Sequence, residues 1–175
     1  MSEDIQHSCC FFGNRNTPVT PDLKSIILQT VEMLIAVEKV DTFLFGSKSS
    51  FNSLCLEAVT ELKQKFPHVK LVYVRAEYPY IDEAYKAYLL NFCDETYFPE
   101  RLSDAGKAVY VERNREMIDK SRFCIVYYDE GYTPSSRCKA SDMLIVPEAR
   151  KSGTKLALDY AIKKKKEIFI FTAAG

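Results

Sequence analysis

Residues 151–171 read KSGTKLALDYAIKKKKEIFIF, and this stretch joins a helix start, a helix and a strand. Ser152-Gly153-Thr154 opens a helix-like run that ends in four lysines, and an apolar strand follows at 168–171. A helix N-terminus presents unpaired backbone N–H groups and the positive end of the helix dipole. Where a strand end points to the same place, the two form an anion pocket, most often for phosphate. Taken alone, serine before glycine is equally typical of an ordinary helix cap.

Strand-like and helix-like segments alternate along the rest of the chain, which indicates the fold class. The strands are nearly continuous apolar runs, a pattern typical of a parallel sheet that is covered on both faces. We therefore predict an α/β fold with a mostly parallel central sheet, formed by a single domain over residues 1–175 with a long connection at about 129–151. The predicted strands are 8–13, 42–45, 69–74, 95–98, 123–128 and 168–171. One predicted helix begins at 21, three others cover 51–66, 81–92 and 103–120, and the last begins at 152.

Composition excludes several classes of protein. The 175 residues include 24 basic and 24 acidic side chains, so no overall charge favours nucleic acid or an anionic membrane. The lysine run at 163–166 is most simply a solvated helix end. No apolar run approaches membrane-spanning length and the start of the chain does not resemble a signal peptide, so we expect a cytoplasmic protein.

The six cysteines and two histidines lack the spacing of a zinc site, and neither the GxGxxG nor the Walker motif is present. Cysteines within apolar runs behave as small buried hydrophobic residues. We therefore expect free buried thiols, no metal, and no bound cofactor.

Several polar segments follow predicted strands or begin the last helix. In open parallel sheets, ligands bind beyond the carboxyl ends of the strands. We expect these segments to share that edge and to form a binding site. They are Gly13, Asn14 and Arg15; Gly46 and Ser47; Asp129; and Ser152, Gly153 and Thr154.

The predicted helix over 103–120 places polar side chains next to its apolar stripe. Helical spacing puts Asn114 on the stripe with Val111 and Ile118, and Arg113 at its border. A polar group on a core-facing stripe needs partners, which a neighbouring loop or a ligand can supply. Arginine offers a rigid fork that suits phosphate or carboxylate, so Arg113 and Asn114 are candidate ligand-binding residues.

These segments, in this order, resemble the SLOG superfamily and, more narrowly, the DUF1273 group of small bacterial proteins. The resemblance rests on CCFFGNR at 9–15, Gly46 followed by Phe51-Asn52, RNREMID at 113–119, YYD at 127–129, and Ser152-Gly153-Thr154 followed by Asp159-Tyr160-Ala161. It covers nearly the whole chain. It implies a Rossmann-like three-layer sandwich and a nucleotide or nucleotide-derived ligand.

The sequence departs from the related enzymes at two positions. Asn14 stands where the first loop of the family usually carries histidine, and asparagine does not exchange a proton near neutral pH. The LOG-type phosphoribohydrolases, which cleave the N-glycosidic bond of nucleoside monophosphates, carry PGGxGTxxE with a catalytic glutamate. Gly153-Thr154 matches the GT of that motif and Arg113 matches an arginine of those enzymes, but Ala157 occupies the glutamate position.

Three functions remain open at this point. The first is nucleotide binding or sensing without catalysis, in which Ser152, Gly153 and Thr154 hold a phosphate, the two arginines supply charge, and Asn14 and Asn114 orient ribose or base. The second is an N-glycosidase whose carboxylate comes from Glu130 or Glu148 in the long connection. The third is self-association through Tyr80, Tyr85 and Tyr88, although a partly buried helix face explains these tyrosines more simply.

Overall fold

A computed structural model describes residues 3–47, 49–130 and 152–172 of the chain. Most of the predicted connection at 129–151 lies outside these residues, and so do Cys138 and Glu148. The strands are β1 Ser8–Gly13, β2 Thr42–Phe45, β3 Lys70–Val74, β4 Glu95–Tyr97, β5 Phe123–Tyr127 and β6 Glu167–Phe171. The α-helices are α1 Glu3–Gln6, α2 Pro21–Ala36, α3 Ser50–Lys63, α4 Glu83–Leu89, α5 Val109–Asp119 and α6 Gly153–Lys163.

The six strands form one sheet in the order β4-β3-β2-β1-β5-β6, and every neighbouring pair is parallel. The chain moves outward from β1 to β4 and then returns to the other side of β1 with β5. The strand order therefore reverses between β1 and β5, where Gly13 pairs with Tyr127. In open α/β sheets, the crevice at such a reversal is the usual place for a ligand.

Helices cover both faces of the sheet, which confirms the predicted Rossmann-like α/β sandwich. On one face, α2 and α3 pack on a core that includes Phe11, Phe43 and Phe123. On the other face, Met117 and Ile118 of α5 and the apolar side of α6 pack on Cys10, Phe12 and their neighbours. Alternate strand residues point to opposite faces, so each strand contributes to both cores.

The helix starts follow from local capping. The Thr20 hydroxyl accepts a hydrogen bond from the Leu23 N–H at 3.1 Å, and Pro21 occupies the first turn of α2. Ser152 caps α6 in the same way, with its hydroxyl 3.1 Å from the Lys155 nitrogen. These caps confirm the helix starts that the sequence predicts at both places.

The predicted helix over 103–120 is wrong in its first part. Two short 3₁₀ turns, Glu100–Leu102 and Gly106–Ala108, precede α5, which begins only at Val109. The buried side of α5 consists of Arg113, Met117 and Ile118. Val111 and Asn114 are only half-buried, because this part of the helix lies over the open edge of the sheet rather than over the strands.

The cysteines that the structure describes are free and buried: Cys9, Cys10, Cys55, Cys93 and Cys124. Burial raises the pKa of the Cys9 and Cys55 thiols well above the ordinary value. These cysteines are therefore core residues, in agreement with the prediction. Across the described ranges, no helix is both long and apolar enough to span a membrane.

Candidate functional site

A cavity of about 710 Å³ opens at the carboxyl ends of the strands. Its wall includes the ends of β1, β2 and β3, the inner side of α5, and the starts of α3 and α6. Because neighbouring strands lie about 4.8 Å apart, the edge from β5 to β3 extends over about 14 Å. Most residues of the predicted site meet here: Gly13, Arg15, Gly46, Ser47, Arg113, Asn114, Ser152, Gly153 and Thr154.

The N-terminus of α6 faces this cavity through the tripeptide at its start. Gly153 is exposed, and a Cβ added to it would meet no atom of the described structure within 4 Å. Thr154 is buried on the cavity wall. Ala157, one turn further along, is 3% exposed and packs into the core on Cys10 and Phe12, outside the cavity wall. The helix start is therefore open to a ligand, while the position of the LOG-type glutamate faces the sheet.

Gly46 allows Arg113 to cross the end of β2. A Cβ on Gly46 would lie 2.6 Å from Nε of Arg113, so any larger residue displaces the guanidinium. Nη1 of Arg113 donates a hydrogen bond to the Gly46 carbonyl, and Nε donates to Oδ1 of Asn114 at 3.2 Å. These contacts hold the arginine against the strand end and on the cavity wall.

Arg113 is a buried cation without an acidic partner among the residues that the structure describes. It is only 6% exposed, and within the described residues it makes no ion pair with a carboxylate. The Tyr110 ring lies 5.6 Å from the guanidinium carbon, which is cation–π distance. Burial lowers the pKa of Arg113 below its ordinary value, because desolvation of the charged form outweighs the opposing effect of nearby Tyr73, Tyr110 and Glu77. Such a group favours an anionic ligand.

Asn14 and Asp129 lie beside the cavity but do not form part of its wall. The Asp129 N–H donates to Oδ1 of Asn14 at 2.7 Å, and the Asn14 N–H donates to the Tyr127 carbonyl at 3.2 Å. These bonds join the ends of β1 and β5 where the strand order reverses. Nδ2 of Asn14 is buried and has no partner within the described ranges. The predicted ligand contact by these two residues stays a prediction.

The end of β3 contributes residues that the sequence analysis did not identify. Arg75, Glu77 and Tyr78 line the cavity, together with Tyr73 and Tyr85. Arg75 is 9% exposed, and its Nε is buried without a hydrogen-bond partner in the described part of the chain. The rule that ligands bind at strand ends applies to β3 as it does to β1 and β2. Applied consistently, it would have pointed to these residues.

The start of α3 adds a buried acceptor to the wall. Ser49 caps this helix, with its hydroxyl 3.2 Å from the Asn52 nitrogen, and both residues line the cavity. Asn52 is 2% exposed, and its Oδ1 has no partner among the residues that the structure describes. Buried polar atoms normally have partners, which ordered water or a ligand can also supply.

The family model described as the YspA SLOG family (YpsA) matches residues 6–158. The chain belongs to this SLOG family. Membership agrees with the Rossmann-like sheet and indicates a nucleotide-related domain. A search of curated proteins finds no match to the chain. The narrower DUF1273 assignment and the bacterial origin stay predictions.

The N-glycosidase alternative depends on which carboxylates of this SLOG domain reach the cavity. Glu130 is exposed and does not line the cavity, whereas Glu148 lies outside the described residues. Glu77 is the single carboxylate among the described residues of the wall. The Tyr110 hydroxyl donates a hydrogen bond to Oε1 of Glu77, and this bond raises the pKa of Tyr110. Three arginines (Arg15, Arg75 and Arg113) accompany this one acid, so the described wall is positively charged.

The tyrosines considered for self-association have different environments. Tyr80 is 93% exposed and Tyr88 is 53% exposed. Tyr85 is half-buried, stacks on Tyr88 at 6.0 Å between ring centroids, and lines the cavity. Tyr85 is therefore part of the candidate site, and self-association through the other two stays a prediction.

Proposed function

We propose that this SLOG domain binds a nucleotide or nucleotide derivative, with a phosphate group at the start of α6. The observation that carries the proposal is the buried Arg113, which has no carboxylate partner within the described structure and lies on the same cavity wall as the open N-terminus of α6. A helix N-terminus and arginine both bind phosphate through several N–H donors. Ser152 and Thr154 add hydroxyl groups to the same end of the cavity.

The expected affinity requires contributions from more than the helix start. A helix dipole stabilises a nearby charge by about 0.3–1 kcal/mol when exposed and up to about 2 kcal/mol when partly buried. A hydrogen bond to a charged group contributes about 1.5–3 kcal/mol. Micromolar binding corresponds to about 8 kcal/mol. Arg113, Arg15 and contacts to the base and sugar must therefore supply most of the binding free energy.

Calorimetry with AMP, GMP and ADP-ribose tests the proposal. We expect micromolar to sub-millimolar binding, a raised melting temperature, and a loss of at least tenfold in affinity for Arg113→Gln. Arg115→Gln is the matched control, because Arg115 lies on the same helix, pairs with Glu112 at 2.7 Å and does not line the cavity. Absence of binding and of any melting shift with all three ligands at millimolar concentration would refute the proposal.

A second candidate, cleavage of the N-glycosidic bond of nucleoside monophosphates, is favoured by one observation. Glu77 places a carboxylate on the cavity wall, whereas the position of the LOG-type glutamate holds Ala157, which is buried. General acid or base catalysis at this bond requires such a group. We expect release of free base to be undetectable. Base release that disappears in Glu77→Gln would instead identify an enzyme.

A further inference from the structure

Arg75 presents hydrogen-bond donors at the β3 end of the cavity. Its Nη1 donates to the Tyr78 carbonyl at 2.9 Å, which anchors the guanidinium. Its Nε is enclosed by protein, and its Nη2 makes no hydrogen bond to any residue that the structure describes. Nη1 carries a second hydrogen, so Nη1 and Nη2 form the end of the guanidinium that binds two acceptors at once. The site therefore offers a rigid pair of donors to a planar pair of acceptors.

The surroundings of this edge favour a nucleobase over a second phosphate. Tyr73, Tyr78 and Tyr85 line the same part of the cavity, and Tyr78 and Tyr85 are in edge-to-face contact with ring centroids 6.3 Å apart. Aromatic side chains provide stacking surfaces for bases. Glu77, two residues after Arg75, adds a negative charge that repels phosphate but accepts hydrogen bonds from N–H groups. An aromatic wall with a paired donor and a carboxylate is suited to a polar, planar ring.

We propose that the β3 end of the cavity is a base subsite that prefers guanine, with Arg75 donating to O6 and N7 and Glu77 accepting from the N1 and N2 hydrogens. This inference rests on the proposed function, because the phosphate at α6 orients the base toward β3. Guanine presents O6 and N7 as two adjacent acceptors, which is the pattern that arginine binds in bidentate fashion. Adenine places an N6 donor beside N7, so one donor of Arg75 would face another donor.

Binding of GMP, IMP and AMP to the whole chain separates the two contacts. IMP keeps O6 and N7 but lacks the N2 amino group, so it retains the Arg75 contact and loses part of the Glu77 contact. A bidentate contact discriminates by about 1–3 kcal/mol, which corresponds to about 5- to 150-fold in dissociation constant. We expect calorimetry to give the order GMP, then IMP, then AMP, with AMP weakest by a factor in this range.

Two variants test the residues separately. Arg75→Gln should remove the preference of GMP and IMP over AMP or invert it, since glutamine pairs with N6 and N7 of adenine. Glu77→Gln should bring GMP close to IMP while both remain tighter than AMP. Arg75→Gln loses the hydrogen bond to the Tyr78 carbonyl and could unfold for that reason. Glu77 is exposed, so Glu77→Gln keeps the test valid in that case. Glu83→Gln is the control, because Glu83 is exposed on α4 and does not line the cavity.

The outcomes distinguish this inference from the function on which it rests. Equal affinity of the wild-type protein for GMP and AMP would overturn the guanine subsite and leave nucleotide binding intact. The wild-type order of affinity, GMP then IMP then AMP, retained in both variants would also overturn it. Failure of all three nucleotides to bind would overturn the proposed function and this inference together.

Discussion

Replacement of Gly46 by alanine tests the contact between β2 and α5 that positions Arg113. The added Cβ would lie 2.6 Å from Nε and 3.0 Å from Cζ of Arg113, both well inside van der Waals distance. Because Gly46 directly follows β2, which pairs with strands on both sides, we expect the Arg113 side chain to move rather than the backbone. Its hydrogen bond to the Gly46 carbonyl is then lost, and the guanidinium turns into the open cavity.

The magnitude follows from two effects that partly offset each other. Overpacking in a well-packed region costs about 1–3 kcal/mol, and loss of a hydrogen bond from a charged group costs about 1.5–3 kcal/mol. Movement of the guanidinium toward solvent recovers some of its hydration, so we expect a net loss of about 2 kcal/mol. For a domain of this size, each kcal/mol lowers the melting temperature by about 2–4 °C. Gly46→Ala should therefore melt about 4–8 °C lower than the wild-type protein.

Urea denaturation followed by circular dichroism measures this loss, and Gly153→Ala provides the matched control. Both substitutions add one methyl group to a glycine on the cavity wall. At Gly153 the added Cβ meets nothing within 4 Å of the described structure, and alanine favours the helix. We expect Gly153→Ala to unfold at the same urea concentration as the wild-type protein or slightly above it. Gly46→Ala should also lose nucleotide affinity, because Arg113 no longer has a fixed position.

A double-mutant cycle with Arg113→Ala shows whether the cause is correct. If the cost of Gly46→Ala arises from collision with Arg113, most of it should vanish when the side chain is already truncated, giving a coupling of about 1–2 kcal/mol. Additive losses would show that the strand end itself resists the methyl group. Wild-type stability and wild-type nucleotide affinity for Gly46→Ala alone would refute the contact.

Three further predictions follow from the structure. Gly13→Ala should lower the free energy of unfolding by about 3 kcal/mol in urea titrations, which is the cost of overpacking in a core. The added Cβ would lie 2.7 Å from Cγ of the fully buried Phe51. A smaller loss than that of Gly46→Ala would contradict this prediction. Ser152→Asp should keep the cap and therefore the stability, yet weaken AMP binding at least tenfold in calorimetry by placing a carboxylate at the phosphate end; unchanged affinity would exclude a phosphate there. Partial desolvation raises the pKa of Asp94, but the Leu71 N–H and neighbouring lysines lower it overall. Because the pKa of Asp94 is lower in the folded state, its ionised form stabilises the protein at pH values above the unfolded pKa of about 3.9. The difference in the free energy of unfolding between wild type and Asp94→Asn should therefore disappear as the pH falls from 5 to 2.

The fold could be predicted from sequence because most strands are apolar runs and two of the helix starts carry recognisable caps. Thr20 before Pro21 and Ser152 before Gly153 are local signals whose effect does not depend on distant residues. The glycines at strand ends were also informative, although the reason for them lies in distant residues. Gly13 and Gly46 are both required by close approach of a side chain from another element.

The arrangement on α5 was predicted less accurately because Val111 was taken as part of the buried stripe, whereas it is only half-buried. The buried stripe consists of Arg113, Met117 and Ile118, and Asn114 lies beside it. Nothing in the local sequence shows that a buried arginine is tolerated there. The contacts that permit it, with Gly46 and Tyr110, involve the carbonyl of a distant strand and a cation–π geometry.

The β3 end was missed because its residues carry no pattern of their own. Arg75-Ala76-Glu77-Tyr78 reads as an ordinary polar loop after a strand, and single arginines and glutamates in loops are usually solvated. Burial of Arg75 depends on the Tyr78 carbonyl and on tyrosines contributed by β3 and α4. The rule that ligands bind at strand ends points to this loop, but only the three-dimensional arrangement shows which of its residues line the cavity.

The proposed direction of the nucleotide determines which groups face its glycosidic bond. With the phosphate at α6 and the base near Arg75, the glycosidic bond lies between them, over the ends of β1 and β2. Among the residues that the structure describes, the wall there contains Gly13 and Gly46 and no carboxylate. Glu77 lies at the base end, and Ala157 faces the core beneath the phosphate end. A nucleotide bound in this direction would meet N–H donors at its phosphate and hydrogen-bonding partners at its base, and its glycosidic bond would meet no carboxylate of the described wall.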